Sequence, residues 1–167
     1  MASTESEPAR LLGIYLKDHL GGATGGRELA RRTASANDGT EFGGPLQRVA
    51  TEIEEDRASL EGIMGRLGVR PDPVKTGLGW AMEKAGRLKP NGQVRGYSPL
   101  GRLLEIEGLV TGVSGKLSLW RALQATAPSE PRLDAATLAS LEQRAEDQLR
   151  RLHELRDRAA AVAFTGA

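Results

Sequence analysis

Four long segments of this chain carry apolar residues at helical spacing, and strong stop signals close each one. This pattern constrains the fold more than any other feature, because amphipathic helices of this length bury their stripes only against one another. The first stripe is Leu12, Tyr15, Leu16, His19, Ala23, Gly26 and Ala30, on a helix predicted over 8–35. Pro8 suits its first turn, and Asn37-Asp38-Gly39 ends it. The second is Leu46, Val49, Ile53, Asp56, Leu60, Ile63 and Leu67, opened by Gly44-Pro45 and closed by Gly68 and Pro71. Ser98-Pro99 opens a third helix over 99–125, marked by Leu100, Leu103, Leu104, Glu107, Val110, Val113, Leu117 and Trp120. Asp134 caps the fourth, which runs to about residue 163 and presents Leu138, Leu141, Ala145, Gln148, Leu152, Leu155, Ala159 and Val162.

Residues 69–98 do not belong to any of these stripes and are too many for a hairpin loop. Asp72-Pro73 predicts a shorter helix over 73–88, which Pro90-Asn91-Gly92 breaks. The expected fold is all-α: a four-helix bundle with a long crossover that holds an extra short helix. Residues 1–7 read as a disordered tail and 8–167 as one domain.

Aromatic residues are 4% of the chain, so aliphatic side chains and alanine must supply the core. There is no cysteine, which removes disulfides and thiolate metal sites. Basic and acidic residues number 23 and 22, a balance that gives no reason to expect nucleic acid. No apolar run approaches the ~18 residues of a membrane span, and 1–8 is acidic and polar rather than a signal peptide. A soluble cytoplasmic protein is expected. The crossover is locally basic: eight basic residues between Arg66 and Arg102 face only Asp72 and Glu83. It could act as a lid, contact a neighbouring subunit, or recruit an acidic protein partner.

The candidate chemistry lies at mid-height. His19, Asp56 and Gln148 interrupt apolar faces near the middle of the first, second and fourth helices, and Glu107 falls about a turn from the middle of the third. Buried charge is expensive unless it is paired or metal-bound. His19, Asp56 and Glu107, with Glu52 one turn before Asp56, could hold Fe, Mn or Zn; alternatively they form a hydrogen-bonded layer that fixes helix register. Gly22/Gly26 and Gly108/Gly112 are each four residues apart, so each pair shares one helix face. Each interior glycine costs roughly 1 kcal/mol against alanine, which implies close backbone approach between the first and third helices, or a gap for a flat ligand. Gly112-Val113-Ser114-Gly115-Lys116-Leu117 imitates part of a phosphate-binding loop. It lacks the leading glycine and the Ser or Thr after the lysine, and it lies within a helix.

Together with the helix lengths and the crossover, the segments Leu16-Lys17-Asp18-His19-Leu20 and Glu52-Ile53-Glu54-Glu55-Asp56-Arg57 make the chain resemble the ferritin-like superfamily, its actinobacterial members above all. Members of that superfamily store iron, activate oxygen at di-iron or di-manganese centres, or have lost the metal. Their activity rests on Glu-x-x-His pairs, and this chain departs from them. Leu16 stands three residues before His19, Arg150 three before His153, and Ile53 and Asp56 occupy the corresponding places in the second helix. The resemblance therefore implies a binding or scaffold protein with a degenerate metal site that assembles with copies of itself. The alternative it leaves is a metal-binding protein or metalloenzyme with a non-standard site at His19, Asp56 and Glu107.

Overall fold

The computed structural model describes residues 6–71 and 97–166, which form four α-helices and one short 3-10 turn, with no strand among them. Helix α1 spans Glu7–Ala36, α2 Gly43–Leu67, α3 Pro99–Thr126 and α4 Ala135–Thr165. The helix predicted over 73–88 and the start of the crossover after Pro71 lie outside the described residues.

The helix ends follow from the sequence. Ser6 accepts a hydrogen bond from the Ala9 amide, so α1 begins inside the tail expected to be disordered. Ser98 accepts from the Gly101 amide at 2.9 Å with Pro99 in the first turn, and Asp134 accepts from the Ala136 and Thr137 amides. Gly68, at φ 75°, ends α2 in the left-handed region, and the Val69 amide reaches back to the Met64 carbonyl at 2.9 Å. In the turn between α1 and α2, Gly43 lies so close to the Asn37 carbonyl that a Cβ there would sit 2.6 Å from its oxygen.

Contacts at the helix ends set the directions. A Cβ on Gly13 would meet Val69 at 3.8 Å, so α2 ends where α1 begins. Arg102, in the first turn of α3, donates to Asn37 and stacks 4.5 Å from the Phe42 ring centroid, which places the start of α3 at the α1–α2 turn. Arg132, just before α4, donates to the Leu67 carbonyl at 3.2 Å, and Arg158 near the far end of α4 reaches Glu41 at 3.3 Å. The helices therefore run up, down, down and up, and the connection from α2 to α3 joins opposite ends of the bundle. A 25-residue α2 is about 38 Å long at 1.5 Å per residue, which is why that connection cannot be short.

Of the four neighbouring helix pairs, packing is closest between α1 and α2 and between α3 and α4, looser between α1 and α3, and slightest between α2 and α4. The core is aliphatic around Trp120 and Phe42, with Leu16, Leu46, Leu60, Ile106, Leu123, Leu138 and Leu152 essentially sealed from solvent. Burying each such leucine stabilises the fold by about 1.5–3 kcal/mol.

The third stripe keeps Leu103, Val113, Leu117 and Trp120 buried as expected but is turned at Glu107 and Val110. Ile106 and Leu109 are buried in the upper half of α3, whereas Glu107 is exposed and Val110 only half-buried. Apolar residues occupy most sides of that segment, so its spacing did not single out one stripe, and packing against α4 chose the face. Of the two readings of the glycine faces, continuous close approach of backbones does not hold. Only Gly108 has a close neighbour, with Leu29 Cδ2 3.0 Å from a Cβ built on it, whereas Gly22, Gly26, Gly112 and Gly115 face open space. Gly112→Ala is accordingly expected to raise stability by about 1 kcal/mol, and Gly108→Ala to gain less, since Leu29 must give way. Urea denaturation midpoints of the two variants test this directly.

Candidate functional site

The polar groups of the bundle interior gather in two places, and the one at mid-height crosses α2, α3 and α4. Asp56 is 2% exposed and Gln148 fully buried, each in the middle of an apolar stripe. Between them lies the Lys116 ammonium, which donates to Asp56 Oδ2 and to Gln148 Oε1. Gln148 Nε2 donates to the same Asp56 oxygen at 3.0 Å. The other carboxylate oxygen is ion-paired with the Arg144 guanidinium, without hydrogen-bond geometry. Arg144 also donates to Glu55 at 3.0 Å, and Arg151 donates to Glu52 at 2.5 Å. Three cations thus meet three carboxylates, and the charge that burial would penalise is compensated in place.

The electrostatics follow the geometry. Burial pulls the Lys116 ammonium below the usual lysine range, against the attraction of Asp56. Burial raises Glu52, but Arg151, Gln148 and Arg144 outweigh it and hold that carboxyl below the ordinary glutamate value. An open depression of about 550 Å³ lies over the layer on the α2–α4 side, lined by Glu52, Gln143, Arg144 and Arg151 among others. Arg144 thus spans the distance from this groove to the buried Asp56, and its Nε is enclosed without a partner.

Of the predicted site residues, the structure brings Asp56, Gln148 and Glu52 into this layer. His19 is half-buried, its ring edge-on to Tyr15 with centroids 4.5 Å apart, and burial lowers its pKa while Asp18 opposes the shift. Glu107 points to solvent, on the far side of α3 from its expected position. Among the described residues no three histidines or carboxylates converge to hold a metal ion. The layer's carboxylates are committed to ammonium and guanidinium groups instead. Reading stripes residue by residue missed Lys116 and Arg144. Their spacing offered a signal: Lys116 is three residues after buried Val113, and Arg144 is four before buried Gln148. Long basic side chains at stripe edges can turn their heads inward.

A second network lies at the end of the bundle where α3 begins. Glu105, 8% exposed, accepts from the Tyr97 hydroxyl at 2.6 Å, from Thr33 at 3.1 Å and from the Arg32 guanidinium at 3.1 Å. Asn37, fully buried, donates to the Thr33 carbonyl at 2.7 Å and to the Tyr97 oxygen at 3.2 Å, and accepts from Arg102. Burial and the Glu105 carboxylate together push the Tyr97 phenol well above its ordinary value. This network ties the segment that enters α3 to the last turn of α1.

No described helix is long and apolar enough to cross a membrane. Comparison with protein-family models, with curated proteins and with solved structures finds no match for this chain.

Proposed function

We propose that this chain is a ferritin-like bundle that has exchanged a metal centre for an internal ion-pair network and works as a cytoplasmic binding or scaffold protein that assembles with copies of itself. The observation that carries the reading is the position of Lys116. Its ammonium lies at mid-bundle between Asp56 and Gln148, where a cation held by facing helices would sit. The up-down-down-up order with a long α2–α3 connection supports the superfamily assignment. An interior in which each carboxylate already has a basic partner supports a structural role for the layer.

The test is bound metal per chain, measured by elemental mass spectrometry after anaerobic reconstitution with Fe(II), Mn(II) and Zn(II). The expected result is no retained metal in the parent chain. Near-stoichiometric metal that disappears in His19→Ala or Asp56→Ala would overturn this proposal and make the chain a metalloprotein with a non-standard site. Sedimentation at several concentrations checks the self-association.

A further inference from the structure

Every seam of the bundle carries cross-helix ion pairs, Arg27–Glu54, Arg32–Glu105 and Arg121–Glu142 among them, but only the α2–α4 seam has so little backbone packing beside them. Backbones approach least there, and side chains of opposite charge bridge the space. From α4 come Arg144, Arg151 and Arg158; from α2 and the turn before it come Glu55, Asp56, Glu52 and Glu41. Gln148 adds its bond to Asp56, and Arg132 closes the lower end on the Leu67 carbonyl. The polarity is uniform: cations stand on the α4 side and acceptors on the α2 side. The α1–α3 seam also carries a cross-helix pair, Arg32 with Glu105, but adds closer packing, with Leu29 against Gly108. The groove of about 550 Å³ also opens along the α2–α4 line.

We propose that this seam is an ionic latch: the bundle opens between α2 and α4 first, when its outer ion pairs are weakened, while α1 and α3 stay packed. The outer pairs are within reach of salt, since Arg158 and Glu41 are 49% and 60% exposed and Glu55 is 57% exposed. The Asp56 pairs are sealed and screened far less. Opening would lead from the groove past Arg144 to the apolar residues beside Glu52 and Asp56. An α4 that leaves α2 remains held by its extensive packing on α3. Sub-global opening of this kind follows the weakest seam in a fold.

The absence of cysteine makes the test clean. Val49 is 1% exposed and lies three residues before Glu52 and seven before Asp56, so it shares their side of α2. Ala30, also 1% exposed, lies beside Leu29 on α1. Single Val49→Cys and Ala30→Cys variants are labelled with a thiol reagent across a salt series. The Val49→Cys thiol should react about tenfold faster in about 1 M NaCl than at low salt, and the Ala30→Cys thiol should change less than about twofold. In the Val49→Cys background, Glu52→Arg or Arg151→Glu alone should speed labelling at low salt, and the two together should restore the slow rate. Equal acceleration of both reporters, no response to salt, or failure of the double charge swap to restore protection would each overturn the latch.

Discussion

Asp56→Ala is expected to destabilise the bundle by about 3–5 kcal/mol, because removing one partner of a buried pair leaves the others uncompensated. Asp56 has a side chain 1% exposed and is the point where Lys116, Arg144 and Gln148 converge. Without it, two cations face each other in the interior, and burial already lowers the Lys116 pKa. Replacing the whole layer has a different outcome. Asp56→Leu, Lys116→Met, Arg144→Met and Gln148→Leu combined should leave stability unchanged or raise it by about 1–4 kcal/mol, as apolar replacements of buried ion pairs do. Urea denaturation of both variants makes the comparison. If the layer sets helix register, the quadruple variant should also broaden or multiply its amide resonances while remaining stable. A single Asp56→Ala cost below about 1 kcal/mol would sink the idea that this carboxylate is the keystone of the layer.

Glu105→Ala should cost about 2–4 kcal/mol, since it leaves the Thr33 and Tyr97 hydroxyls without their acceptor in a largely dry environment. Glu105→Gln keeps an acceptor and should cost roughly half as much. The Tyr97 phenol gives an independent readout. Its pKa is raised in the folded chain by burial and by Glu105. An acid whose pKa is raised on folding contributes stability that is complete below its unfolded value and is lost as pH climbs through the folded one. The parent should therefore lose stability as pH rises beyond about 10, and Glu105→Ala should flatten that loss. Ultraviolet titration of the phenol should show Tyr97 in the variant moving back toward its ordinary value. An unchanged titration would mean that burial alone sets it.

Much of the helical order was legible, and the reasons are local. Ser98, Asp134 and Gly68 signalled their helix ends because capping depends on a side chain and its nearest amides. Asp56 and Gln148 were legible as interior polar residues because apolar neighbours flank each of them at helical spacing. Glu107 was not: α3 carries Leu104, Ile106, Leu109 and Val110 around most of its circumference, so one residue of rotation exchanges Glu105 for Glu107 at the interior. The Glu105 network was hidden for a second reason. Its partners Thr33 and Asn37 are over sixty residues away in the chain and become neighbours only when α1 and α3 pack.

By itself, then, the sequence determined four helices, their ends, and two polar residues placed inside them, because periodicity and capping act over a few residues. Tertiary structure alone decided which face of α3 turned inward and which of the open glycine positions gained a neighbour. It also decided that a lysine ammonium would join Asp56 and Gln148 at the centre. Those outcomes depend on the reach of long side chains across packed helices, and no spacing along one helix encodes that reach.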